Sequence, residues 1–437
     1  MSASGYPDSW YAATRSASAG YARLRARKQV DVAIVGGGFA GLHLARLLAL
    51  KGRQVAVLER HRIGWGASGR NGGFVSAGFA QSSAVLLEKL GAPRARELYA
   101  LSQAGVRLVE STLTELGRPD ILMGRGQLTL CRSAQAPAFA NRVRALAGAL
   151  GASFEPWATA QVRAVLSSER YFEGVHDPQA FQIHPLNLAL ALAEDVVQRG
   201  GAVFEDSAVR AIEREGAHWV CRTADGCVQA RDVVLAGNAD LGPLHGRLSR
   251  AVLPVATYVA VTAPLGPALQ GAMRWAGAVS DTRRASDYYR VVDGDRLLWG
   301  GRITTDTREP PRPREMMRRD ILAVFPQLCD VQIDRAWPGT MGYAVHKMPL
   351  IGRLESGLWA SSAYGGHGLG QTAAGAIVLA SALVDGDDTW RRFEPFAPRW
   401  AGGPVGRALT QATYWAMQAR DRWDEARSPR AAGLQRL

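Results

Sequence analysis

Between an apolar run at residues 30–35 and a segment of helical period at 42–50, the chain reads Gly36-Gly37-Gly38-Phe39-Ala40-Gly41, so a strand, a glycine turn and a helix follow in immediate succession. Glycine has a different task at each of three places. Gly36 permits the tight turn, Gly38 lets the backbone approach a pyrophosphate, and Gly41 lets the helix pack closely on the strand. Backbone N–H groups at the helix start, with the helix dipole, then hold phosphates without any cationic side chain. A second apolar strand at 54–58 ends at Glu59. Its carboxylate falls at the spacing that accepts hydrogen bonds from ribose hydroxyls, and it repels a 2′-phosphate, which argues against NADP. Together these features predict a dinucleotide site on Gly36, Gly38, Phe39, Ala40, Gly41, Glu59 and Arg60.

The only other glycine cluster before a helical run is AYGGHGLGQTAAGAIVLASAL at 363–383, after a strand-like stretch at 358–362. No acid-tipped strand follows that helix, because Asp385, Asp387 and Asp388 sit in a polar turn. An enzyme that reduces bound FAD with NAD(P)H needs a second fingerprint, so this cluster reads as a second contact to the same cofactor. A helix N-terminus at Gly366, His367, Gly368 and Leu369 faces the flavin pyrimidine in that reading and stabilises negative charge at N1 and the C2 carbonyl of the reduced ring. The loop IGWGASGRNGG, residues 63–73, adds Ala67, Ser68, Arg70, Asn71 and Gly72 as contacts to phosphate or the flavin edge.

The order of segments resembles the D-amino-acid-oxidase superfamily of flavoproteins, and within it the branch typified by bacterial gamma-glutamylputrescine oxidase. The resemblance begins at YPDSWYAAT (6–14), passes through VGGGFAGL, IGWGASGRNGG and FQIHPLNLALALAEDVVQRGGAVFEDSAV (181–209), and continues in VVLAGNA, LPVATYVAVTAPL, LLWGGRIT and HKMPLIGRLESGLWASSAYGGHGLG. GWGASGRNGG and YGGHG are its most specific parts. It implies an α/β fold of the α+β two-domain kind: a Rossmann-like FAD-binding domain interleaved with an antiparallel-sheet substrate domain, the glutathione-reductase/D-amino-acid-oxidase-like architecture. It implies FAD and oxidation of a C–N bond. It also places Val209 against the adenine through its backbone and brings Gly237, in VVLAGNA, to the cofactor.

Flavin accepts the hydride itself, so no catalytic triad is expected; the protein holds the substrate, keeps its amine unprotonated and stabilises the reduced ring. Segments that resemble the family's active-site walls nominate Tyr258, Tyr289, Arg302, Tyr343 and His346 as substrate contacts, with His367 and Arg302 as catalytic candidates. Plainer readings stand beside these. Tyr258 and Tyr289 lie on predicted strands, where aromatics pack in the sheet. Arg302 either takes a substrate carboxylate in bidentate fashion or makes a surface ion pair. His346 sits near the ring or caps a loop. Two departures from relatives matter. Monomeric sarcosine oxidases attach flavin through a cysteine in a segment similar to GTMGYAV, where this chain has Met341, so noncovalent FAD is expected. Their strand lysine, which promotes reaction with oxygen, is matched by Leu298, leaving the acceptor open between oxygen and a quinone or carrier. The expected activity is oxidation of an amine or amino acid to an imine that water hydrolyses, with a polyamine derivative as leading substrate. The alternatives are a D-amino-acid or cyclic imino-acid (pipecolate- or proline-like) dehydrogenase with a non-oxygen acceptor and, from another class, a noncatalytic flavin-binding subunit.

The elements that must position these residues alternate between two domains. We expect an N-terminal arm at 1–28, a FAD-binding domain from 29–80, 151–245 and 335–390, and a substrate domain from 81–150 and 246–334, with a basic helical segment at 391–437. Residues 81–150 read as mostly helical, 185–199 as a helix, 202–205, 208–212, 219–223 and 232–236 as short strands, and 251–298 as an antiparallel sheet over the flavin. At 437 residues and 47% hydrophobic content the chain suits two domains rather than one core. It shows neither a signal-peptide pattern nor an apolar run of membrane-span length, and a cytoplasmic enzyme is expected. Cys131, Cys221, Cys227 and Cys329 have no metal-ligand spacing and read as structural or incidental, and no metal is expected. The net charge of +13 comes mostly from arginines scattered among small residues, which speaks against nucleic-acid binding. In the tail, Val405, Leu409, Ala412, Trp415, Ala416 and Ala419 recur at helical spacing. They predict a helix packed on the body with its arginines in solvent, and no membrane contact.

Overall fold

The computed structural model describes residues 5–134, 138–283, 286–308 and 310–427; the end of the expected basic segment, 428–437, lies outside the described residues. The chain divides into two compact units, one from residues up to 122, 183–255 and 339–407, the other from 123–182, 256–338 and the segment after 407.

In the first unit the apolar runs that announced strands are buried on both faces, the condition for a parallel sheet. Arg27–Val35 lies parallel between Val55–Leu58 and Cys227–Leu235. Ala202–Phe204 extends the sheet on one side and Leu358–Ser362 on the other, both parallel. Leu350–Glu355 closes that second edge antiparallel, and a hairpin of Ala211–Glu215 and His218–Arg222 attaches to Cys227–Leu235. Helices Phe39–Leu50, Ala92–Glu115, Pro185–Gln198 and Gly368–Asp385 pack together beside the sheet. Gly105 makes the closest of these approaches, since a Cβ there would strike the Gly370 carbonyl oxygen. Contrary to the expectation that no apolar run has membrane-span length, the 18-residue helix Gly368–Asp385 is long and apolar enough to cross a membrane; 61% of it is buried inside the protein, as in a core helix. The N-terminal arm belongs to this unit as well: Trp10 and Tyr11 are buried, Ser9 caps the short helix Trp10–Ala13, and the Tyr6 hydroxyl donates to the Ile63 carbonyl at 2.9 Å.

The second unit is built on a sheet in which Leu253–Thr262, Arg296–Thr304, Tyr288–Val292, Ala278–Asp281, Leu122–Leu130 and Gly174–Ile183 are successive neighbours. The sheet is mixed. Most pairings among the described residues are antiparallel, but Ala278–Asp281 runs parallel to Leu122–Leu130. One face carries a hydrophobic cluster that includes Leu128, Val279, Tyr289 and Trp299 from strands and Met317, Ile321 and Phe325 from and beside helix Pro313–Val324.

Two long segments and two short ones fall on the other side of the division from their expected places, the short ones being 246–255, which join the first unit, and 335–338, which join the second. Residues 81–122 join the first unit because helix Ala92–Glu115 buries Leu98, Tyr99, Val106 and Val109 and packs on Gly368–Asp385. Residues 151–182 join the second because Glu155–Trp157 pairs with Gly174–Ile183 in its sheet. Within the stretch read as helical, Leu122–Leu130 is a strand; its alternating burial shows the period of two that helices on both sides obscured. All four cysteines are free thiols.

Candidate functional site

The glycine turn has the geometry its spacing predicts. Gly36 takes φ +118°, and a Cβ on it would lie 2.8 Å from the Ala236 carbonyl and 3.0 Å from the Gly237 nitrogen, so the ends of the two parallel strands lie side by side with no room for a side chain. A Cβ on Gly41 would run into the Gly36 carbonyl oxygen, which is why helix and strand pack this closely. At Gly38 the neighbour is the Ser68 hydroxyl, 2.9 Å from where a Cβ would stand. That hydroxyl accepts from the Phe39 N–H at 3.0 Å and satisfies one donor of the helix start. Ala40, beside it, is buried.

Glu59 accepts from the Gly37 N–H at 2.7 Å and the His61 N–H at 2.8 Å. Burial pushes its carboxyl pKa up, and those two backbone hydrogen bonds act in the opposite direction. Arg60 is exposed and lines a cleft of about 230 Å³ with Arg23, Asp206, Ala208, Arg210 and Thr223, the stretch that also contains buried Val209. In the following loop, Ala67 and Ser68 lie on the turn Ala67–Gly69. Asn71 is spent bracing that turn: its amide donates to the Ala67 and Ser68 carbonyls at 2.9 and 2.8 Å and its oxygen accepts from the Gly73 N–H at 2.8 Å. Arg70 stacks over Trp65 at 4.6 Å, with burial lowering its pKa, and Gly72 is buried.

The second glycine cluster lies in the same unit. Ala363, Gly365 and Gly366 all have positive φ, and the helix Gly368–Asp385 starts after His367 with no side chain capping it. Its first N–H groups are therefore left to a ligand or water. Tyr343 and Met341 wall this loop: a Cβ on Gly365 would stand 2.8 Å from the Tyr343 ring, and one on Gly366 3.0 Å from Met341 sulfur. His367 keeps exposed surface, yet protein surrounds it densely enough for desolvation to lower its imidazole pKa, which favours the neutral ring. Leu369 is buried. Asn238, adjacent to Gly237, joins the two clusters: it has φ +50° and accepts from the Ala363 N–H at 3.1 Å. Sequence reasoning missed it, although a polar residue directly after a strand-ending glycine was a usable signal. Two glycine-built helix starts and an acid at the tip of the second strand form a cradle that a dinucleotide fits.

The expected substrate contacts separate. Tyr343 stands by the glycine loop, whereas His346 accepts from the Met348 N–H at 3.1 Å and leans on Phe396, so it caps a loop. Tyr258 and Tyr289 face the hydrophobic cluster of the second unit. Tyr289 has no exposed surface and stacks on Trp299 with centroids 4.3 Å apart, and Tyr258 is 5% exposed with its hydroxyl on the Arg308 carbonyl. Neither ring is open to a small molecule. Arg302 grips Asp320 through two hydrogen bonds of 2.6 Å, an ion pair that raises its pKa and occupies its fork. An acid would have to displace Asp320.

The register identifies what the sequence reading passed over. Tyr289 pairs with Trp299, so Tyr288, Arg290, Leu298 and Gly300 lie on the sheet's other face. Arg290 is 1% exposed and sits directly across from Leu298. The same face carries Gln127, Thr129 and Ser280, linked at 3.3 and 3.1 Å through the Ser280 hydroxyl. The second unit thus has one apolar face and one polar face with a buried guanidinium on it. The alternation in DYYRVV divides its residues between two faces without showing which face is which.

Comparison with known proteins yields consistent matches. A family model described as FAD dependent oxidoreductase (DAO) matches residues 31–382. The gamma-glutamylputrescine oxidoreductase of Escherichia coli K12 is 32% identical over 408 residues, covering 92% of this chain and 95% of that protein. A probable oxidoreductase, OrdL, of Haemophilus influenzae is 30% identical over 92% of this chain and 94% of its own. Among solved structures, the glycine oxidase of Geobacillus kaustophilus superposes with a TM-score of 0.70 over 85% of this chain and 99% of that one at 24% identity, a likeness of fold.

Proposed function

Because the chain belongs to the DAO family of FAD-dependent oxidoreductases, enzymes that act on C–N bonds, we propose that it oxidises the amine of an acylated polyamine of the gamma-glutamylputrescine kind to an imine. One observation carries the reading. Similarity to the gamma-glutamylputrescine oxidoreductase spans 92% of the chain, so it extends over both units and is not confined to the dinucleotide cradle.

When bound, FAD supplies the acceptor for the electron pair that leaves the substrate C–H bond. The chain does the rest. The backbone N–H groups of the glycine turn and first helical turn that remain beside that of Phe39, which Ser68 takes up, would hold the pyrophosphate, and Glu59 would accept from the ribose. The N-terminus of Gly368–Asp385, left without a side-chain cap, would stabilise negative charge on a bound flavin through its dipole. Neutral His367 borders that helix start without adding a competing positive charge. We assign a substrate carboxylate to Arg290, which lies on the polar sheet face and donates to the Met123 sulfur at 3.4 Å. Met341 at the loop wall has no thiolate, consistent with noncovalent flavin. A second reading, a dehydrogenase that passes electrons to a quinone or carrier, is favoured by the apolar Leu298 where oxidase relatives place a lysine.

Anaerobic mixing with a panel of amines tests the proposal through loss of the flavin's yellow colour. A gamma-glutamylated diamine should bleach the protein faster than putrescine, N-methyl amino acids, cyclic imino acids or D-amino acids. Faster bleaching by a cyclic imino acid or a D-amino acid would transfer the assignment to that class, and no bleaching with any amine would leave a flavin binder. Admitting oxygen afterwards distinguishes the acceptors: prompt recolouring marks an oxidase.

A further inference from the structure

The helix Gly403–Arg427 turns inward a mixed face that holds Met417 together with polar side chains. Gln411 accepts from the Thr304 hydroxyl at 2.9 Å and from the Thr305 N–H and hydroxyl at 2.8 and 3.2 Å, Asp421 is 8% exposed, and Tyr414 and Gln418 are half-buried. On the opposite side Val405, Leu409 and Trp415 are 67%, 65% and 63% exposed, with Ala412, Ala416 and Ala419 exposed among them and Trp423 60% exposed beyond. The residues expected to pack on the body therefore face solvent, the reverse of an ordinary surface helix. Five of the eight large apolar side chains exposed among the described residues fall between Trp400 and Trp423, which makes a patch rather than scatter.

We propose that this helix face docks on an anionic lipid surface. At about 100° per residue, Arg420 and Arg422 fall on opposite borders of the apolar stripe, where guanidinium groups reach phosphates while the stripe enters the acyl boundary. Tryptophan rings suit that boundary, since each has an apolar body and one N–H for the wet side. The wider charge agrees. Residues 391–437 hold nine arginines against the acids Glu394, Asp421, Asp424 and Glu425, and the chain carries +13. An anionic membrane attracts such a surface, and a second copy of the chain repels it. The proposal goes beyond the assigned reaction and bears on its acceptor, since a docked enzyme meets lipid-soluble quinones directly.

The test mixes full-length, flavin-loaded protein with vesicles of equal parts phosphatidylglycerol and phosphatidylcholine, or of phosphatidylcholine alone, and measures co-sedimentation. Binding should require the anionic lipid, weaken with salt, and fall on the order of tenfold or more in a Leu409→Gln/Trp415→Gln variant. Both side chains are exposed, so that variant should retain flavin and its melting temperature. Absence of binding, or binding indifferent to the two substitutions, overturns the proposal. A dimer that light scattering detects and the same substitutions dissociate also overturns it, by giving the face to a second copy. No substrate enters this measurement, so failure of the functional reading leaves its result intact.

Discussion

At the scale of single residues, the sheet of the second unit turns on one position of parity. Adjacent strand residues point to opposite faces, and DYYRVV offers a tyrosine of each parity, so sequence alone had no means of choosing which faced the hydrophobic core. Phe325 and helix Pro313–Val324 made the choice by packing on Tyr289 and Trp299, which leaves Tyr288 and Arg290 on the polar side. Arg290 is therefore the residue whose loss should reveal a carboxylate in the substrate. In an Arg290→Met variant, half-saturation in anaerobic flavin reduction should rise roughly tenfold more for carboxylate-bearing amines than for simple amines. Equal rises would assign Arg290 to structure. Arg302→Met should leave that selectivity untouched, because its charge is already engaged by Asp320. The glycines of the fingerprint were legible for the opposite reason: each responds to a neighbour within a few residues or at the end of an adjoining strand.

At the scale of elements, the fingerprint helix shows how a cofactor cradle is held still. Arg46 on Phe39–Leu50 is fully buried and reaches Asp195 at 2.8 Å on Pro185–Gln198 and Glu115 at 2.6 Å on Ala92–Glu115, so one guanidinium ties three helices. Removing it strands a buried carboxylate, although Arg199 still pairs with Asp195 and Glu115 is half-exposed. Arg46→Met should cost about 3 kcal/mol, seen as a lower melting temperature of the flavin-loaded protein; an unchanged value would show that Arg199 suffices. Helical period revealed the helices themselves, because amphipathic spacing is a local property. The strand Leu122–Leu130 escaped notice as a short alternating run between longer helical patterns. The C-terminal helix was found by its period but turned the wrong way, since the hydrogen bonds of Gln411 to Thr304 and Thr305 join residues about a hundred positions apart.

At the scale of the molecule, the candidate cofactor residues come from 36–41, 59–60, 67–72, 209, 237 and 366–369, and all belong to the first unit. A ligand that holds segments so distant in sequence should stabilise them together. Stripping the flavin should lower the melting temperature of the first unit, and free FAD at a hundredfold excess over its dissociation constant should restore about 2.7 kcal/mol by mass action, readable by calorimetry. Recovery with no added FAD would show that the cradle is rigid alone. The sequence by itself determined the cofactor class, the strand-turn-helix that receives it, the second helix start and the family, because each is written in contiguous residues whose backbone freedom or local period is their own chemistry. Only the tertiary structure decided that residues 81–122 belong with the dinucleotide cradle, that Arg302 is held by Asp320 while Arg290 stands buried on a polar face, and that the last helix shows its tryptophans to solvent. Burial and pairing are properties of two surfaces meeting, and a chain read in order displays only one of them at a time.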